Sequence, residues 1–393
     1  MAIKTIRDLD LKGKRVLLRA EFNVPLKDGK ILDDTRMRAA LPTIRYLADH
    51  GARVLILTHL GRPKGKPAPE YSVQPLSKHL AELLGTDVAF AGDCGGPASQ
   101  SLAGALKDGQ VALLENTRFY PGEEKNDPEF VKTLAALGDV YVNDAFGAAH
   151  RAHASTEGVA HQLPAAAGLL MEKEIQVLKD SLDHPEKPFV VMMGGSKVSD
   201  KVGVIENLSK KADCMLFGGA MANTLLAAKG YKVGISKIED DKLELCRQML
   251  QRMETSGAEV VLPVDVVAAD RFAADAAPQT VKADQIPDGC MALDIGPETV
   301  RLFEGKLAEA KTVFWNGPLG VYEFDAFAKG SNAIALAMGN SGAKTIVGGG
   351  DAVAAVEKAG VADRIYHIST GGGATLEMME GRVLPGIEVL LKQ

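Results

Sequence analysis

The chain has 393 residues, 45 Lys+Arg against 51 Asp+Glu, 46% hydrophobic residues and 41 glycines. That length and apolar content suit two domains with real cores and exclude a disordered or collagen-like chain. Residues 1–170 carry 21 basic and 20 acidic side chains, a net +1, whereas 171–393 carry 24 and 31, a net −7. Neither half has the basic surplus of a nucleic-acid binder, so no nucleic-acid partner is expected. No run approaches the ~18 apolar residues of a membrane helix, and Met1-Ala2-Ile3-Lys4-Thr5-Ile6-Arg7-Asp8 lacks a signal peptide's apolar core. Cys94, Cys214, Cys246 and Cys290 form no C-x-x-C pair. Reduced thiols in a cytoplasmic protein away from membranes are expected.

Short apolar runs recur along the chain, each followed by glycine or polar residues and then a helical stretch. In the first half they are Arg15–Arg19, 53–58, Val111–Leu114 and 140–142; in the second, Phe189–Met193, Cys214–Phe217, 260–264, 312–315, 345–347 and 365–368. Runs that are continuously apolar, not alternating, imply strands buried on both faces, as in parallel sheets covered by helices. The rhythm predicts an α/β fold with two Rossmann-like domains on parallel-sheet cores. Met171, Ile175, Leu178 and Leu182 share one helical face, and His184-Pro185-Glu186-Lys187-Pro188 stops that helix. Residues 171–186 are therefore read as a connecting helix and linker between domains 1–170 and 187–375.

Ligands of open α/β sheets bind outside the carboxyl ends of the strands, and there the two halves differ. First-half strands run into Glu21-Phe22-Asn23, Asp33-Asp34-Thr35-Arg36, His59-Leu60-Gly61-Arg62, Glu115-Asn116-Thr117-Arg118 and His150-Arg151. Guanidinium forks match carboxylate and phosphate geometry, so several at one sheet edge suggest a small, highly anionic ligand. Second-half strands run into Gly194-Gly195, Gly218-Gly219, Asn316-Gly317-Pro318, Gly348-Gly349-Gly350-Asp351 and Gly371-Gly372-Gly373. Glycine admits a ligand close to the backbone, and helix N-termini offer N–H groups to phosphate oxygens. Lys197 and Lys201, four apart, are expected on one helical face beside those phosphates, with Asp351 as a Mg²⁺ contact or an N-cap. The P-loop pattern, G-x-G-x-x-G, G-x-S-x-G and the protein-kinase signatures are absent. A glycine-rich nucleotide half and a basic anion half suggest phosphoryl transfer between two bound substrates.

These residues resemble the phosphoglycerate kinase family along essentially the whole chain. The resemblance rests on R-x-x-F-N-V-P at 19–25, H-L-G-R-P at 59–63, E-N-x-R-F at 115–119, D-A-F-G-x-A-H-R at 144–151, G-G-S-K-V-x-x-K at 194–201, W-N-G-P at 315–318, G-G-G-D at 348–351 and S-T-G-G-G at 369–373. It implies a C-terminal tail, about 376–393, that packs back on the N-terminal domain, and hinged closure around 3-phosphoglycerate or 1,3-bisphosphoglycerate and MgATP or MgADP. It further implies that Glu21, Phe22, Asn23, Arg36, His59, Leu60, Gly61, Arg62, Arg118 and Arg151 hold the phosphoglycerate. Gly194, Gly195, Lys197, Lys201, Gly218, Gly219, Leu293, Pro318, Glu323, Gly349, Gly350, Asp351 and Ala352 would hold the nucleotide. Arg36, Lys197, Lys201, Gly371 and Gly372 would act at the transfer site, and the enzyme would be a monomer.

Three residues depart from the family pattern. Glu21 replaces the usual aspartate, Ala352 a threonine and Ala292 a glycine. None removes a cation from the transfer site. A different carboxylate or acyl-phosphate kinase, or a non-catalytic nucleotide-binding homologue, are the alternative readings.

Overall fold

The computed structural model describes residues 2–392, apart from the Leu182 side chain, which lies outside the described residues. The chain divides into two compact units, Met1–Gln176 with Val383–Gln393, and Val177–Arg382. Both are α/β, as the continuous apolar runs predict.

The first unit is built on β1 (Arg15–Arg19), β2 (Arg53–Leu57), β3 (Val88–Ala91), β4 (Val111–Leu114), β5 (Val140–Asn143) and β6 (Ala165–Ala167). They form one six-stranded sheet in the order β3-β4-β2-β1-β5-β6, and every pairing is parallel. Helix Thr35–Asp49 follows β1 and buries Met37, Ala40, Leu41, Ile44 and Leu47, the i, i+3, i+4 stripe of a helix laid on a sheet. Those residues join Val16, Leu18, Val54, Ile56 and Leu113 in one core. The tail from Val383 completes this unit. Backbone bonds run from Lys4 N to Leu390 O (2.8 Å), Lys392 N to Ala2 O (2.9 Å) and Gly386 N to Ala149 O (2.8 Å).

The second unit contains β7 (Phe189–Met193), β8 (Cys214–Phe217), β9 (Glu259–Val261), β10 (Asp265–Ala269), β11 (Gln279–Lys282), β12 (Met291–Ile295), β13 (Thr312–Asn316), β14 (Lys344–Gly348) and β15 (His367–Ile368). Its parallel sheet runs β9-β8-β7-β13-β14-β15, the doubly wound order in which the chain reverses direction between β7 and β13. A separate antiparallel sheet, β11-β10-β12, forms between β9 and β13 in sequence. The apolar run expected at 260–264 is split by Pro263. Having no N–H, proline cannot continue a ladder, so β9 stops at Val261 and β10 begins at Asp265 in another sheet.

The expected connecting helix spans Leu169–Asp183, and the boundary between units falls inside it. Asp144 starts it: one carboxylate oxygen accepts the N–H groups of Leu170 (3.0 Å) and Met171 (3.2 Å). Met171, Ile175 and Leu178 are buried, as the helical face requires.

Candidate functional site

In the first unit β4, β2, β1 and β5 are neighbours and all parallel, so the loops after them leave the same edge of the sheet. Loop 59–62 is clamped from three sides. Asn23 Oδ1 accepts Gly61 N (2.9 Å), Arg118 Nη1 donates to Gly61 O (2.9 Å), and Asn116 Nδ2 donates to Leu60 O (2.8 Å). Gly61 has φ +60°, and a Cβ there would stand 2.3 Å from the Tyr71 ring, so only glycine fits. Phe22 and Leu60 are buried and face the core, which leaves only their backbones toward a ligand. Arg62 is exposed just beyond the clamp.

Within this frame one arginine and one histidine flank a single carboxylate. Arg36 donates to Asn23 O (2.6 Å) and lies 3.7 Å from Glu21 Oε1, while His59 Nε2 is 3.9 Å from the same oxygen. Glu21 is buried, and its Oε2 has no hydrogen-bond partner. A bare buried acceptor of this kind costs free energy until something donates to it. Arg118 is buried as well; burial pulls its pKa down and Glu124 at 3.7 Å opposes that. Arg151 Nε donates to His150 Nε2 (3.2 Å). Burial, with Arg19 next, holds the His59 pKa well below the ordinary histidine value, and the same two kinds of cause bring His153 to about 4. Motif reading gave Arg19 no role, although it begins R-x-x-F-N-V-P, and the structure puts its guanidinium against His59.

The glycine-rich edge of the second unit has a different construction. At the reversal between β7 and β13, Gly194 N donates to Asn316 O (2.9 Å) and Gly195 N to Pro318 O (2.8 Å). Lys201 tucks beneath this junction, donating to Gly194 O (2.6 Å) and Asn316 O (3.3 Å). Its burial lowers its pKa to about 8, against the opposing pull of Asp351. Lys197, by contrast, is exposed. The expectation of one helical face for the two lysines is corrected here. The α-helix begins only at Val202, because Ser199 is tied through N (3.1 Å) and Oγ (2.5 Å) to Glu239 and a 3-10 turn, Ser199–Lys201, intervenes.

Gly218 caps helix Gly219–Ala228, and Gly349, at φ +91°, caps helix Gly350–Lys358. Gly350 and Asp351 are exposed in the first turn of the latter helix, while the Ala352 methyl is buried in the core. Ala352 therefore offers a ligand only its backbone. Gly372, at φ +53°, caps helix Gly373–Met379, and Gly371 N donates to Ser369 Oγ (3.3 Å). A cavity of about 290 Å³ is lined by Gly195, Gly219, Leu293, Pro318, Glu323 and Asp351, all expected, and also by Ala220, Asn223, Phe272 and Asp294. Ala220 and Asn223 sit on a helix, Asp294 on a strand and Phe272 in the loop after β10, positions that no spacing marks. Among the described residues no three His, Cys, Asp or Glu side chains are grouped to hold a metal. Asp351, exposed in the first turn of helix Gly350–Lys358, fits Mg²⁺ held by one carboxylate and substrate oxygens.

One sheet edge lined by guanidinium groups and another lined by glycine turns that lead into helix N-termini are the two halves of a phosphotransferase. A family model described as phosphoglycerate kinase matches residues 6–382. The chain is 57% identical over 393 residues to a phosphoglycerate kinase of Moorella thermoacetica, covering 100% of both chains, and 57% identical to that of Chloroflexus aurantiacus, covering 98% of both. Among solved structures, phosphoglycerate kinase from Coxiella burnetii aligns with a TM-score of 0.91 at 41% identity, covering 99% of each chain. That of Pyrococcus horikoshii aligns at 0.86 and 34%, covering 99% of this chain and 98% of the other. The chain belongs to the phosphoglycerate kinase family. Its reaction is the reversible glycolytic transfer of a phosphoryl group between 1,3-bisphosphoglycerate with ADP and 3-phosphoglycerate with ATP, a carboxyl group being the acceptor.

Proposed function

We propose that the basic edge of the first unit binds the phosphoglycerate and the glycine edge of the second binds MgATP or MgADP. The observation that carries this reading is Glu21 Oε2, a buried acceptor without a donor, beside cationic Arg36. An acceptor next to cations is matched by a ligand with a hydroxyl beside its carboxylate, which donates to one and accepts from the other. Glu21, Asn23, His59 and the backbones of Phe22, Leu60 and Gly61 orient that end, and Arg62, Arg118 and Arg151 take the phosphate. The cavity holds adenosine between Leu293 and Pro318, with Glu323 on the ribose. The first-turn N–H groups at 350–352 donate to phosphate oxygens, while the N–H groups of Gly194, Gly195, Gly218 and Gly219 are spent on Asn316 O, Pro318 O, Met193 O and Leu319 O and hold the glycine edge in shape.

Asp351 would hold Mg²⁺, whose chemistry is to neutralise charge on the nucleotide phosphates. The attacking group in the ATP-consuming direction is a carboxylate, already deprotonated near neutral pH, so no general base is needed. Catalysis is then alignment plus charge stabilisation by Arg36, Lys197, Lys201 and the turn at Gly371 and Gly372. Direct in-line transfer requires donor and acceptor to meet with water excluded, hence a closing motion of the hinge in the Leu169–Asp183 region. The enzyme acts as a cytoplasmic monomer. A coupled assay of ATP consumption with 3-phosphoglycerate, and with glycerate or acetate in its place, tests the assignment. Turnover confined to 3-phosphoglycerate supports it, and comparable turnover of the simpler carboxylates overturns it. Small-angle scattering tests closure: both substrates together should compact the enzyme, and an unchanged radius would refute the motion.

A further inference from the structure

We propose that Arg19 is a positioning residue: it holds His59 with Nδ1 bare and the proton on Nε2, so that the phosphoglycerate meets one fixed donor. The inference deepens, and rests on, the assignment of the basic edge to that ligand. Arg19 is 1% exposed, and its Nη2 lies 2.8 Å from His59 Nδ1. A guanidinium has five donors and no acceptor, so the bond has one possible direction: Nδ1 accepts. The ring's proton must then be on Nε2. That atom is 3.9 Å from Glu21 Oε1, beyond hydrogen-bond reach, which leaves the donor open toward the ligand site.

Arg19 has no freedom to turn away. Its Nε donates to Ser155 Oγ (2.8 Å) and its Nη1 to Ala20 O (2.5 Å). Ser155 is itself held by buried groups, its N donating to Glu123 Oε1 (2.8 Å) and its carbonyl accepting the Tyr141 hydroxyl (2.7 Å). Ser155, held by Glu123 and Tyr141, and the neighbouring Ala20 carbonyl thus fix one guanidinium, and the guanidinium fixes one imidazole.

The charges facing His59 act in the same sense. Arg19 and Glu21 lie at the end of β1, Arg118 beyond β4, and Arg151 and His153 beyond β5. Cations outnumber the single carboxylate, and a proton on Nδ1 would confront the Arg19 N–H directly. Protonating His59 therefore requires breaking the Arg19 contact. This also separates the two kinds of cation at this edge: Arg36 and Arg62 can reach a ligand, while Arg19 is sealed behind the histidine that does.

The test is imidazole ¹⁵N NMR of the full chain, with His59 assigned through His59→Gln. The expected spectrum shows His59 as the Nε2-protonated tautomer, without titration between about pH 5 and 8. Arg19→Met should mix the tautomers and bring a titration into that range, with Arg19→Lys partly restoring the pattern. It should also raise KM for 3-phosphoglycerate roughly tenfold and leave KM for ATP within about twofold. Ser155→Ala, which keeps the guanidinium but loosens it, should shift both readouts in the same direction by less, and it serves if Arg19→Met does not fold. An Nδ1-protonated His59 in the unaltered enzyme, or a tautomer indifferent to Arg19→Met (or, should that variant not fold, to Ser155→Ala), overturns the proposal. A tautomer that follows Arg19 while KM for 3-phosphoglycerate stays constant upholds the positioning role and refutes the ligand assignment instead.

Discussion

Gly194→Ala is the sharpest probe of the junction between β7 and β13. An added Cβ would lie 2.2 Å from Pro318 O and 2.7 Å from Gly317 O, where ordinary contact begins at 3.4 Å. The two strand ends must therefore part by about 1.2 Å, and the obstructing atoms are backbone, which has no rotamer to change. Gly194 is not at positive φ, so alanine brings no torsional penalty and the effect is steric alone. Overpacking of this kind costs about 1–3 kcal/mol. Loosening the bonds to Asn316 O and Pro318 O adds about 1 kcal/mol. The sum, about 2–4 kcal/mol, should lower Tm by roughly 5–15 °C for a unit of this size. A shift of about 1 Å at this junction, which borders the proposed nucleotide site, should also reduce kcat/KM for ATP about 10²-fold, with KM for 3-phosphoglycerate nearly unchanged. Calorimetry and a coupled assay read both. Wild-type Tm together with wild-type KM for ATP would refute the reasoning.

The other predictions separate stability from ligand contact. Gly350→Ala meets nothing within 4 Å, so it should keep or raise Tm, by about 0.5–1 kcal/mol of helix propensity, yet weaken ATP binding because its methyl stands where phosphates approach; unchanged KM for ATP would count against that approach. Arg36→Ala and Lys197→Ala should each lower kcat by roughly 10³–10⁵ with little change in Tm, since neither side chain is buried; near-normal turnover in either purified variant removes it from the transfer site. Lys201, with its pKa lowered to about 8, should lose its charge above that pH, so KM for ATP should rise there and stay flat in Lys201→Arg, whose guanidinium keeps its proton. Burial raises the Asp294 pKa to about 7. The folded state then binds a proton that the unfolded chain has already released above about pH 4. Stability contributed by this group is complete below that pH and is lost as pH rises through 7; denaturant titrations of Asp294→Asn should lack that slope.

Much of this architecture could be read from the letters because buried parallel strands write themselves as runs such as Phe189–Met193 and Cys214–Phe217. Where strands lack β-branched and aromatic residues, the signal fails. β6 is Ala165–Ala167, whose three alanines form a strand only because Tyr141, Val142 and Asn143 pair with them. The antiparallel sheet was hidden for another reason: β11, Gln279–Lys282, is mostly exposed and carries no apolar run. At the site, motif residues with open side chains or strained glycines were legible. Arg19 gained its role from Ser155 and His59, partners 136 and 40 positions away, and local spacing holds no trace of such a contact. The lysine pair shows the opposite failure. A spacing of four suggested one face, but Glu239, far along the chain, captured Ser199 and delayed the helix.

The return of the tail to the first unit has a consequence for the order in which this enzyme is made. Residues 177–382 form the second unit without a break in the chain, whereas the first is completed only by residues from Val383 onward. Gly386 N bonds to Ala149 O, and Asn143 Nδ2 reaches Gly386 O (3.3 Å), immediately before His150 and Arg151. A ribosome synthesising the protein therefore finishes its later domain before its earlier one. The Arg151 loop waits for residues translated after the whole of the second unit to pin it in place. A nascent chain stopped at Arg382 would have a finished second unit and an unfinished first one.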